Sequence, residues 1–231
     1  MYINGRIRKH GFFIILFSAM VVFLASCSLI KKTHKEAGPP LPSLEKIAVL
    51  PMDRANLKPQ PGEAACALSD TFYEASDVSI EAARKVTKLL LDSLNSDPRF
   101  VPVKEAKCVS FLSRMLITEP NAPQLRLVQA LGKELGVDAV LYGKLFRFED
   151  RIGGPYGVER PASVTFTLYL IRTKDGAVLW RYAFSETQQP LTENLFKAGL
   201  YKKTGMRWLT AEELAKIGIE QALKDLKKRI R

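Results

Sequence analysis

Strand-like runs in this chain alternate with segments of helical period, and that alternation narrows the folds open to it more than any other feature. Lys46-Ile47-Ala48-Val49-Leu50-Pro51 is a near-continuous apolar run closed by proline, as expected of a strand buried on both faces. A long loop is predicted to about residue 78. Residues 80–95 then place Ala83, Val86, Leu90 and Leu94 on one helical face, with Arg84, Lys85 and Lys88 outside. Asp97-Pro98 ends that helix, and residues 100–103 give a short strand. A second helix is predicted over residues 104–116. A third runs to Leu135, opened by Asn121 and Gln124 as a capping box with Pro123 in the first turn, and stopped by Gly136. Residues 137–148 form the next strand.

Residues 163–173 and 177–187 read as a hairpin, and the faces decide its register. A two-residue Asp175-Gly176 turn would set Leu170 beside Arg181, mixing apolar with polar. A three-residue loop with Gly176 left-handed sets Leu170 beside Trp180, Leu168 beside Tyr182 and Phe166 beside Phe184. A one-residue slip sends every side chain to the wrong face, so the second register is expected. The face bearing Thr165, Thr167, Tyr169 and Arg181 is half-polar, as for a partly exposed surface. Thr210 and Glu213 form a capping box before a last helix at 211–230, lined by Ala215, Ile219, Ala222, Leu223, Leu226 and Ile230. Lys224, Lys227 and Lys228 crowd its end, where the helix dipole favours cations; they read as a solvated cap or as a binding site. Strands joined through helices pair in parallel and the hairpin adds antiparallel ones. The expected fold is therefore a single-domain α/β mixed-sheet sandwich with helices mainly on one face.

The amino terminus carries an address. Arg6, Arg8 and Lys9 precede residues 12–25, which are apolar apart from Ser18, and Leu24-Ala25-Ser26-Cys27 follows. The run falls short of the roughly 20 residues a membrane span needs, so it reads as a secretory signal peptide rather than an uncleaved anchor. Leu24-Ala25-Ser26-Cys27 resembles the lipobox of bacterial lipoproteins. That resemblance implies cleavage before Cys27 and a diacylglycerol on its thiol, with further acylation such as palmitate on the new amino group. Two or three chains anchor stably where one does not. Ser28 stands where an inner-membrane retention signal would carry aspartate, which favours the outer membrane. The expected organisation is a signal peptide at 1–26, a lipidated tether at 27–44 and a periplasmic domain at 45–231.

Removing residues 1–26 takes away three basic and no acidic residues, leaving 32 basic against 24 acidic, a formal +8. No nucleic-acid-binding signature accompanies this charge, and an exported protein rarely meets nucleic acid. Lys31, Lys32 and Lys35 beside the anchor suit anionic headgroups, or simply keep the tether hydrated. Gly38-Pro39-Pro40 and Pro42 make the tether semi-extended, and its 17 residues after Cys27 reach at most about 56 Å. In the mature chain Cys66 and Cys108 form a candidate disulfide, which an oxidising periplasm permits; the other reading is two buried small apolar residues.

Catalytic chemistry is sparse. The two histidines, His10 and His34, both precede residue 35, so no Ser-His-Asp or Cys-His arrangement can form in the domain. Gly132-Lys133 and Gly143-Lys144 lack the glycine spacing of a phosphate loop. Zinc would need carboxylates to complete a site with Cys66 and Cys108. Glu149-Asp150 and Glu212-Glu213 read as surface charge and helix capping, although acids distant in sequence could converge. No catalytic residue, metal site or cofactor is expected.

Ile47-Ala48-Val49-Leu50-Pro51, Arg99 to Val103, the segment Leu135-Gly136-Val137-Asp138-Ala139-Val140-Leu141-Tyr142-Gly143, and the hairpin with Asp175-Gly176-Ala177-Val178-Leu179-Trp180 together resemble envelope proteins with the fold of the TolB amino-terminal domain. That group includes the curli secretion lipoprotein, the penicillin-binding-protein activator lipoproteins and the Pel polysaccharide export lipoprotein. The resemblance implies a non-enzymatic assembly, export or regulatory role, with an envelope protein or a second copy as partner. Only one hairpin alternates well enough for a secretion pore, and the tether is short for a synthase activator. These points favour a membrane-proximal scaffold or accessory subunit over a regulator of peptidoglycan synthesis. A glycan- or lipid-binding lipoprotein would need a cleft, for which residues 153–157 are the candidate rim.

Overall fold

The computed structural model describes residues 41–55, 62–66, 68–69, 71–189 and 207–230. The expected signal peptide, Cys27 and most of the expected tether lie outside the described residues. The chain divides into two units, residues 1–38 and 39–231, and all of the described residues belong to the second.

The centre of this unit is β1 (Ile47–Val49), buried throughout. It pairs in parallel with β5 (Phe100–Pro102) on one side and with β6 (Ala139–Glu149) on the other. A short strand, β2 (Asp53–Arg54), continues the line of β1 along β6. β9 (Ser163–Arg172) pairs antiparallel with β6, and β10 (Val178–Thr187) with β9, so the six-stranded sheet is mixed. Two small ribbons stand apart from it: β3 (Gly62–Ala65) with β4 (Phe72–Ala75), and β7 (Ile152–Gly153) with β8 (Val158–Arg160).

Helices cover both faces, the longer pair on one and the shorter pair on the other. α1 (Ile80–Leu94) and α4 (Ala211–Arg229) share a face with Ile47, Val49, Leu141, Phe166, Leu168 and Leu170. Ser79 starts α1 by accepting a bond from the Ala82 amide at 3.1 Å. Val86, Leu90 and Leu94 point inward, each full burial being worth about 1.5–3 kcal/mol. At the start of α4, Thr210 and Glu213 form the expected reciprocal capping box. α2 (Glu105–Thr118) and α3 (Gln124–Leu135) lie on the opposite face, against Leu50, Val140, Tyr142 and Ile171. Gly136, at φ +62°, ends α3 in the left-handed turn that glycine enters without strain. The start of α3 differs from expectation: Pro123 is the N-cap, and no side chain caps the helix.

The β9–β10 register is the expected one, with Leu170 opposite Trp180, Leu168 opposite Tyr182 and Phe166 opposite Phe184. The route to it is different. The Arg172 amide bonds to the Ala177 carbonyl, so the loop holds four residues, and an irregularity between Val178 and Trp180 restores the register. Gly176 is left-handed at φ +75°. Thr165, Thr167 and Tyr169 are fully buried rather than partly exposed, because β4, Cys66 and Ser69 fold over this face; Arg181 alone of that set stays exposed.

Candidate functional site

Where β1 ends, the chain turns at Leu50-Pro51 and delivers Asp53 beside Tyr142 of β6. α2 and α3 cross above this point, and a cleft of about 210 Å³ opens between them. Its walls are apolar, chiefly Leu50, Phe111, Leu112, Leu127, Val128 and Leu131. Its polar groups are few: Asp53, Tyr142, Glu105, Gln124 and the Cys108 thiol. The Tyr142 hydroxyl donates to Asp53 Oδ2 at 2.7 Å, and Lys144 Nζ lies 3.8 Å from the same oxygen. Burial, and then the Asp53 charge, push the Tyr142 phenol well above its ordinary value. It is a permanent hydrogen-bond donor rather than a base.

The cleft continues onto a bare helix surface. α2 buries Phe111 and half-buries Cys108 and Met115, yet Val109 (56% exposed), Leu116 (54%) and Ile117 (83%) face outward beside Leu112. Exposed apolar residues are ordinary one at a time; contiguous with an apolar cleft they mark a contact surface. The rim charges are already matched. Arg84 pairs with Glu105 at 3.2 Å, Arg114 with Glu134 at 2.6 Å and Arg126 with Glu119 at 3.4 Å.

The cysteines are not bridged: Cys66 and Cys108 are both free thiols. Each thiol has its own surroundings. Cys66 continues the β3–β4 ribbon, its amide donating to the Thr71 carbonyl, and is buried with Sγ 2.9 Å from Tyr169 Oη, which donates to Ser69 Oγ at 3.2 Å. Burial raises the Cys66 thiol, but its hydrogen bonding with Tyr169, the Leu68 backbone and Ser69 outweighs this and leaves the thiol below its ordinary value. Tyr169 is pushed up to about 12, by burial and by its bond to Cys66. Cys108 sits in the cleft wall, where burial and the Glu105 charge raise its thiol, so it is a poor nucleophile.

Other sequence candidates fall elsewhere. Residues 153–157 do not rim the cleft; the Pro155 carbonyl accepts from the Trp208 amide, tying that ribbon to the start of α4. Asp150 accepts from the Ala211 amide at 3.0 Å, and Glu213 accepts from the Thr210 amide, so each acidic pair does serve as a cap. Among the described residues no group of three or more metal-ligating side chains converges. The cleft and the stripe were missed from the sequence. Their trace is the apolar content of residues 108–117, which exceeds what one buried helical face needs.

The chain matches no family model and no curated protein. It is similar to several solved structures. One is the PelC dodecamer from Paraburkholderia phytofirmans, 13% identical with a TM-score of 0.45, the match covering 83% of this chain and 94% of that one. Another is the LpoB C-terminal domain from Salmonella enterica, 12% identical with a TM-score of 0.35, covering 64% of this chain and 86% of that one. The lipoprotein GNA1162 from Neisseria meningitidis is 18% identical with a TM-score of 0.34, covering 71% and 99%. No residue role is transferred from these structures.

Proposed function

We propose that this protein is a lipid-anchored lipoprotein of the outer membrane's periplasmic face, acting without catalysis as a scaffold or accessory subunit of a cell-envelope complex. The observation that carries the reading is the α2 surface: an apolar stripe running into an apolar cleft, with no nucleophile and base set together at either. Its occupant is a protein segment presenting apolar side chains. The rim supports a protein over a lipid surface, because Arg84, Arg114 and Arg126 are each neutralised by a carboxylate. An anionic bilayer would find these three guanidiniums already paired.

Crosslinking in intact cells followed by co-purification tests this. Leu112→Glu and Leu116→Glu alter exposed positions, so the domain should stay folded by circular dichroism while the crosslinked species falls at least tenfold. A wild-type chain that captures neither a partner nor a second copy overturns the reading. A ligand-binding lipoprotein is the second reading, favoured by the Asp53–Tyr142 pair at the cleft floor. A shift of the thermal midpoint with glycans or lipids, abolished by Tyr142→Phe, would support it.

A further inference from the structure

At the opposite kind of surface, charge is left unmatched. The last turns of α4 expose Lys224, Lys227 and Lys228 while Leu223 and Leu226 point into the core. Among the described residues, none of these three lysines has a carboxylate within ion-pair distance, in contrast to the arginines around α2. They line an open groove of about 480 Å³ between α4 and Ser93 of α1, whose one acid among the described residues is Glu220. Neutralising the helix dipole would account for a single lysine here, but not for three around a groove.

A second observation says what the groove faces. The Leu41 amide donates to the Arg229 carbonyl at 2.9 Å, and Leu41 and Leu44 are buried. The chain arriving from the amino terminus therefore enters the domain at the last turn of α4. Cys27 lies 14 residues before Leu41. That length spans at most about 46 Å fully extended.

We propose that the carboxy-terminal end of α4 is the bilayer-facing surface of the domain, with Lys224, Lys227 and Lys228 seated on anionic phospholipid headgroups. The orientation rests on the reading that Cys27 carries the anchor; the lysine surface stands without it. The domain then stands with this basic end down, and the apolar α2 surface, whose neighbouring arginines are paired, is left for protein.

The test uses the full processed chain in vesicles of phosphatidylcholine alone or with phosphatidylglycerol. Brief amine acetylation is read lysine by lysine by mass spectrometry. Labelling of Lys224, Lys227 and Lys228 should fall about fivefold or more on the anionic vesicles, since each basic residue near such a surface gains about 1 kcal/mol. It should recover in high salt, which screens the attraction. Lys107, exposed on α2, should label equally in both. Equal labelling of the three lysines in the two vesicle types overturns the proposal. The intact mass of the same sample reports acylation of Cys27 separately. Shielded lysines on an unacylated chain would thus remove the anchor and keep the docking surface.

Discussion

Glu213 shows how much one carboxylate can hold. It accepts from the Thr210 amide at 2.9 Å to close the capping box and also binds the Arg207 guanidinium. The Arg207 bond, more than offsetting the cost of burial, keeps its carboxyl below the ordinary value of 4.5. A lowered carboxylate stabilises the fold above its unfolded-state pKa, and that contribution is lost as the pH falls through the folded value. Glu213→Gln keeps an acceptor for the cap but loses the ion pair, so it should cost about 0.5–1 kcal/mol at neutral pH, given the pair's partial exposure. Urea midpoints should show the two proteins converging as the pH falls below the ordinary 4.5 and through the lowered folded value; a constant offset would assign the cost to the cap alone. This box was legible because its partners are three residues apart. The Cys66 site was not, since Tyr169 lies 103 residues away and nothing in Ala65-Cys66 announces a phenol.

Elements were readable to the extent that their own residues decide them. The doubly buried β1, the amphipathic α1 and the β9–β10 register all follow from local periodicity. The ribbons β3–β4 and β7–β8 escaped because Gly62-Glu63-Ala64-Ala65 lacks β propensity and Ile152-Gly153 is too short to show a period. Helix–sheet spacing escaped too. At Gly218 in α4, an added Cβ would lie 2.8 Å from the Phe184 ring and 2.9 Å from Phe166. Gly218→Ala gains about 1 kcal/mol of helix propensity but forces α4 off the sheet, at about 1–3 kcal/mol of overpacking. The thermal midpoint should therefore fall or hold; a rise of several degrees would mean that α4 has room to spare.

For the whole molecule, alternation of strands and helices gave the α/β class and the mixed sheet, while the burial of the Thr165 face depended on β4, Cys66 and Ser69. Two surfaces of different character result, one apolar with its arginines paired and one basic. Attachment is the property on which their division of labour turns. Intact mass spectrometry of the purified protein should find a chain beginning at a triacylated or diacylated Cys27, and Cys27→Ser should leave residues 1–26 attached. A wild-type chain cleaved elsewhere would refute the anchor.

The bond from Leu41 to Arg229 also has a mechanical consequence. With the amino-terminal segment anchored as proposed, tension drawn along it arrives first at the seam between residues 41–44 and the final turn of α4, before it reaches β1. The sheet is thereby spared direct load, and shortening the chain from its carboxyl end would expose it.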